Sequence, residues 1–180
     1  MDSDRLFVIT GGPGSGKSTL IDALAAVGVA TSPEVGRAVI REQLAIGGNA
    51  LPWGDQRAFA EQMVLRDVAA QREALASGAV TVLDRGVPDV AGFLRVSGQP
   101  VPAHIDAAAR RCRYNSRVFI APFWAEIFTG DAERKQTIDE ARATFAVMVE
   151  TYRDYGYDLV ELPRALVVER VAFVRERIAA

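Results

Sequence analysis

One stretch constrains this chain more than any other: Gly11-Gly12-Pro13-Gly14-Ser15-Gly16-Lys17-Ser18, directly after the apolar run Leu6–Thr10. It satisfies the pattern G-x-x-x-x-G-K-[ST] between a predicted strand and a predicted helix, the context in which that pattern acts as a phosphate-binding loop. Glycines let the loop curl so that successive backbone N–H groups converge on phosphate oxygens, and the helix N-terminus beyond adds its positive end. Lys17 is placed to lie along the terminal phosphates, the Ser18 hydroxyl to ligate Mg²⁺, and Thr19 to sit close to an inner phosphate. ATP or another nucleoside triphosphate, with Mg²⁺, is therefore the expected ligand.

A loop of this kind implies a parallel sheet, and the rest of the sequence supplies one. Val29–Ser32 and Tyr157–Leu162 read as further strands, Val80–Leu83 as a further buried strand, and Val118–Ala121 as a fourth apolar run. Pro33-Glu34 opens a helical stretch that ends at Gly47-Gly48-Asn49, and a helix over Asp55–Ser77 carries an apolar stripe of Phe59, Met63, Leu65, Val68 and Leu75 before Gly78 stops it. Ile138, Ala141, Phe145, Met148 and Tyr152 predict a long helix from Lys135 to about Tyr155. A last helix turns Val167, Val171, Val174 and Ile178 inward. Strands alternating with helices predict a three-layer, doubly wound α/β fold with a five-stranded parallel sheet covered on both faces. In such sheets ligands collect beyond the carboxyl ends of the strands, where Gly11, Glu34, Asp84 and Pro122 all fall.

The 180 residues fit one domain, and 49% hydrophobic composition is enough for a buried core. With 21 basic and 23 acidic residues the formal charge is −2, so no nucleic-acid partner is expected beyond what a local basic cleft could hold. Neither a signal peptide nor a membrane span is legible, and Cys112, the sole cysteine, forbids an intramolecular disulfide. The expectation is a soluble, cytoplasmic protein with no membrane partner.

Asp84-Arg85-Gly86 closes the third strand. An aspartate there suits hydrated Mg²⁺, which prefers oxygen ligands and keeps its waters; the alternative is a cap for a helix beginning at Gly86. His104 stands without a second ligand at metal spacing and reads as a surface histidine. Cys112 reads as a buried or half-buried thiol, Trp53 as either a pocket wall or a packing aromatic, and Arg110, Arg111 and Arg113 as a solvated helix face or a contact for an anionic partner.

On these residues the sequence resembles the nucleoside and nucleotide kinases of the P-loop class. GGPGSGK is similar to the loop of adenylate kinase, and the strand-terminal Asp84-Arg85 to that of thymidylate kinase. Over nearly all of its length the chain resembles still more a bacterial branch of predicted ATPases grouped with the ribosylnicotinamide kinase domain. The shared features are Pro33-Glu34 with Arg37, Leu83-Asp84-Arg85-Gly86, Phe119-Ile120-Ala121-Pro122 with Trp124, Asp131 with Glu133-Arg134-Lys135, and Gly156-Tyr157 before Leu162-Pro163.

The resemblance implies a single kinase-like domain over 1–180, with an acceptor region at about 34–78 and a lid at about 123–136. It places Glu34 where such kinases meet the phosphoryl acceptor, as a base for a hydroxyl proton, with Arg37 and Arg85 binding acidic or hydroxyl groups. The alternative is a glutamate favouring the helix dipole beside an exposed arginine. Arg134 is the expected lid cation, because a planar guanidinium meets two phosphate oxygens; the alternative is a solvated charge run. Lys17, Asp84, Glu34 and Arg134 are thus the expected catalytic residues of an ATP-dependent phosphotransferase acting on an unidentified small, hydroxylated or nucleotide-like acceptor. The competing function is a regulatory NTPase or switch with a protein partner, although no N-K-x-D-like guanine-reading motif is present.

Overall fold

The computed structural model describes residues 2–127 and 138–179. After a short 3₁₀ turn at Asp2–Arg5 the chain runs β1 (Leu6–Gly11), α1 (Lys17–Ala26), β2 (Ala30–Ser32), α2 (Val35–Ile46), α3 (Gln56–Ser77) and β3 (Thr81–Asp84). It continues through α4 (Val87–Val96), α5 (Ala103–Arg111), β4 (Arg117–Ala121), a 3₁₀ turn at Ala125–Ile127, α6 (Ile138–Asp154), β5 (Asp158–Glu161) and α7 (Val167–Ile178). The five strands form one sheet in the order β2-β3-β1-β4-β5, and every neighbouring pair is parallel.

Side chains on β1 alternate between two cores, as the strand period of two requires. Leu6 and Val8 join Leu83 and Val118 under α2 to α6, packing on Val39, Ile40, Phe59, Val90, Leu94, Ile105 and Tyr152. Phe7 and Ile9 face the other way with Val82 and Phe119, against Leu20, Ile21 and Leu24 of α1 and Val171 and Val174 of α7. Burial on both faces is why these strands read as unbroken apolar runs.

Strand β1 lies between β3 and β4; the chain builds β2 and β3 on one side of it and β4 and β5 on the other, and a crevice opens at the carboxyl ends where the order reverses. Register places Ile9 beside Asp84 and Gly11 beside Ala121. Gly11 is held at φ +133, and a Cβ there would lie 2.5 Å from the Ala121 carbonyl oxygen, so only glycine lets the chain turn out of the sheet at this point.

Several predicted faces shift in the structure. The buried face of α3 is Phe59, Ala60, Met63, Val64, Asp67, Gln71 and Ala74, and Leu65 faces solvent at 68% exposure. Ile138 and Val167 are likewise exposed. Helices α4 and α5, which the apolar pattern left undrawn, cover the sheet between β3 and β4. Among the described residues no helix is long and apolar enough to cross a membrane.

Candidate active site

The phosphate loop joins β1 to α1. Gly16 precedes the helix in the left-handed conformation, φ 72°, and no side chain caps the helix N-terminus. No acidic residue occupies its first turn either, so the positive helix end is left to an external anion. Lys17 is buried and folds back over the loop, its Nζ donating to the Gly11 carbonyl at 3.0 Å, the Gly12 carbonyl at 2.7 Å and Ser15 Oγ at 3.3 Å. Ser15 Oγ in turn donates to the Gly12 carbonyl. Pro13 and Gly14 are half-buried at the loop's crown, and Ser18 and Thr19 are exposed on the first turn of α1.

Arg170 of α7 supports the loop from behind, a contact that the sequence did not announce. Its guanidinium is buried and donates to the carbonyls of Ser15 and Gly16, both at 3.3 Å. Burial lowers its pKa from the ordinary arginine value, and among the described residues its Nε has no hydrogen-bond partner. The Ser15 and Gly16 carbonyls share their peptide planes with the Gly16 and Lys17 N–H groups, so Arg170 fixes the orientation of those two N–H groups.

At the end of β3, Asp84 is 5% exposed and its Oδ1 has no hydrogen-bond partner among the described residues. Burial pushes its carboxyl up to about 6, with the Lys17 charge opposing and the Glu34 charge adding. Asp84 does not cap α4. That task falls to Asp89, which accepts the Gly86 N–H at 3.0 Å.

Arg85 takes φ 77°, the sole positive φ at a non-glycine among the described residues. Its N–H is fixed to the Ile9 carbonyl at 3.0 Å, so the turn is anchored to β1 while the side chain swings beneath the crevice. There Nε donates to Glu34 Oε1 at 3.1 Å and Nη1 to Asp89 Oδ1 at 2.9 Å. Burial alone would lower the arginine pKa, but the charges of Glu34, Asp89 and Asp84 outweigh it and hold the guanidinium firmly protonated.

Glu34 precedes α2 as its N-cap residue without a side-chain cap bond. Its second oxygen accepts from Arg37 Nε at 2.9 Å, so the carboxylate lies between two guanidinium groups. Glu34 thus stands at the N-terminus of α2 beside a half-exposed Arg37, and is held by Arg85 as well.

Asp89 is a hub that sequence reasoning missed. Its Oδ1 also accepts from Thr10 Oγ1 at 2.6 Å, and its Oδ2 from the Tyr152 hydroxyl at 2.5 Å. The available signal was the spacing Arg85-x-x-x-Asp89 at a helix start, an i,i+4 ion pair.

Beside the loop lies a cavity of about 740 Å³, walled by Pro13, Glu34, Arg85 and Asp89 on one side and by Trp53, Phe59, Met63 and Phe93 on another. Trp53 therefore serves as a wall and is 58% exposed. Arg37 and Asp84 are not among the lining residues: Arg37 holds Glu34 from outside, and Asp84 lies deeper beside the loop.

The remaining candidates fall elsewhere. Asp131, Glu133, Arg134 and Lys135 lie outside the described residues. His104 is exposed and paired with Glu61, and Cys112 is half-buried. Arg110 pairs with Asp106, but Arg113 is not solvated: it donates to the Tyr155 carbonyl at 2.8 Å and stacks on the Tyr157 ring.

A sequence profile described as an AAA domain matches residues 6–170, from the first strand to Arg170. The chain belongs to that family. No curated protein sequence matches it. Among solved structures, NadR in complex with NR superposes with a TM-score of 0.70 at 16% identity, over 99% of this chain and 52% of NadR. The chain thus spans about half the length of that protein. Deoxyadenosine kinase from M. mycoides, with dCMP and dCDP bound, gives 0.65 at 14% identity over 97% and 98% of the two chains. Thymidylate kinase from Ehrlichia chaffeensis gives 0.60 at 12% identity over 99% and 100%. The fold is that of the P-loop nucleoside and nucleotide kinases.

Proposed function

We propose that the protein is an ATP-dependent phosphotransferase acting on a small hydroxylated or nucleotide-like acceptor. The observation that carries this reading is the cavity of about 740 Å³ that shares Pro13 with the phosphate loop and has Glu34 and Arg85 in its wall. Its volume lies in the range of small-molecule sites, roughly 300–1,000 Å³. A second pocket beside the phosphates is what a small acceptor needs, and a switch with a protein output does not require one.

The nucleotide phosphates occupy the loop N–H groups and the α1 terminus. Lys17 then exchanges its loop carbonyls for phosphate oxygens. The donor set fits hydrated Mg²⁺: Asp84 offers a buried carboxylate oxygen that no protein donor takes, and Ser18 an exposed hydroxyl. When bound, the ion neutralises charge developing on the phosphates. Among the described residues no group of three or more His, Cys, Asp and Glu could hold a metal; the ion would take its other ligands from phosphate and water.

The acceptor hydroxyl attacks the terminal phosphorus, the bond to the ADP oxygen breaks, and the hydroxyl proton passes to the Glu34 carboxylate. Arg85 and Arg37 fix the position of that carboxylate. Arg85 also offers charge to the transferred group, and Arg134 is the proposed lid cation that completes its neutralisation. The test is ADP release from Mg-ATP with a panel of nucleosides, nucleotides and sugars against water alone. Acceptor-stimulated release supports the phosphotransferase; nucleotide-dependent capture of a protein partner without acceptor stimulation supports the regulatory alternative.

A further inference from the structure

The wall of the cavity contributed by α3 is a single helical face: Phe59, Met63 and Asp67, each four residues after the last. The first two are apolar, and Phe59 meets Phe93 of α4 edge-on at 5.2 Å between ring centroids. Asp67 is the anomaly. It is only 7% exposed, it lines the cavity, and among the described residues it has no hydrogen-bond or ion-pair partner. Asp89 nearby is saturated by four donors, and Glu34 is held by two arginines. The Asp67 oxygens are not among the sealed, unpaired side-chain atoms of the described residues; they open into the cavity instead. A carboxyl group kept in such a position inside a cavity therefore points to a ligand that completes it.

The chemistry of that ligand follows from the surroundings. Burial first, and then the charges of Asp89, Glu34 and Asp84, push the Asp67 carboxyl well above the usual range, while Arg85 opposes them. A neutral carboxyl presents one O–H donor and one C=O acceptor side by side. Its complement is a planar edge with an adjacent acceptor and donor, such as a ring nitrogen beside an exocyclic amino group. The aromatic and thioether side chains flanking it suit a flat ring.

We propose that Asp67 is the specificity-determining residue of the acceptor site, its carboxyl group taking the hydrogen-bonding edge of a nucleobase packed against Phe59, Met63 and Phe93. The acceptor is accordingly a nucleoside or nucleotide rather than a sugar or an alkyl alcohol. This rests on the phosphotransferase reading of the same site, and the experiment separates the two.

Calorimetric titration without ATP compares two pairs of ligands that differ by one exocyclic amino group: adenosine with purine riboside, and cytidine with pyrimidin-2-one riboside. In the wild type the amino-bearing member of at least one pair should bind about tenfold tighter or better, since a site built to pair such a group rejects the analogue lacking it. Asp67→Asn keeps one donor and one acceptor and should bind within about threefold of wild type, whereas Asp67→Leu should abolish the discrimination. Mg-ATP affinity should be equal in all three proteins. Three results overturn the proposal: no nucleoside binding, equal binding of both members of each pair, or Asp67→Asn failing as badly as Asp67→Leu, the mark of an ionised carboxylate holding a cation. Discriminated binding without nucleoside-stimulated ADP release would remove the phosphotransferase and leave Asp67 its role. Stimulated release that is equal in all three proteins would do the reverse.

Discussion

Replacing Asp84 with asparagine should make the unliganded protein more stable and catalytically poorer. The carboxyl is buried, with one oxygen unpaired, and its pKa rises from an ordinary 3.8 to about 6. With each tenfold change in proton affinity worth about 1.4 kcal/mol, that rise makes the ionised Asp84 a liability of a few kcal/mol at pH 8. The sign is that of a raised acid: the penalty is absent below the unfolded pKa, grows as pH rises between the two values, and is complete above about 6. At pH 5 it should be about half its full size. For a chain of this length the full gain corresponds to a rise in Tm of very roughly 5–10 °C, less whatever the buried amide itself costs. Thermal unfolding of both proteins at pH 8 and pH 5, with and without Mg-ATP, reads it. The variant should lead most at pH 8 without ligand, lose half its lead at pH 5, and fall behind when Mg-ATP stabilises only the wild type well. An unliganded variant no more stable than wild type at pH 8, or with the same lead at both pH values, would refute the electrostatic account of Asp84. Unchanged turnover would remove its role at the metal.

Lys17→Ala should keep the apolar core and weaken Mg-ATP binding on the order of 10- to 100-fold, by the loss of charge-assisted bonds to phosphate; calorimetry decides. Gly16→Ala forces a Cβ into a left-handed position 2.8 Å from Arg170 Nη1, so Tm should fall by several degrees and nucleotide affinity with it, as unfolding and titration would show. Arg37→Ala removes a half-exposed partner of Glu34 and should raise acceptor KM while leaving Mg-ATP affinity nearly intact; equal losses for both substrates would return Arg37 to a structural role. Arg134→Ala should lower kcat with little change in acceptor KM, and steady-state kinetics at saturating Mg-ATP would check it.

The phosphate loop and the parallel strands around it were legible because both rest on local rules, a fixed motif and apolar runs buried on two faces; the order β2-β3-β1-β4-β5 is a long-range property that no local run announces. Glu34 and Asp84-Arg85 were legible as strand-end residues, since the sheet sends every such position to the same crevice. The α3 face was blurred because the predicted stripe included Leu65 and passed over Asp67; a polar residue at a core position breaks the very pattern that locates the core. Asp89 was hidden for a related reason, its four partners coming from β1, the β3–α4 turn, the start of α4 and α6, which no window of sequence brings together. Arg170 gave no signal at all, because its partners are backbone carbonyls 154 and 155 residues away.

Asp89 also sets how the site fails. Each of its oxygens receives two donors, so no lone pair is spare, and an asparagine would turn its amide hydrogens toward groups that themselves donate. Loosening one spoke releases, at once, the strand that carries the phosphate loop, the arginine that steadies Glu34, and the helix that forms the far wall of the cavity. Nucleotide and acceptor sites are in this sense tuned from one peg: damage there should be felt as simultaneous loss of both affinities, with no variant surrendering one and keeping the other.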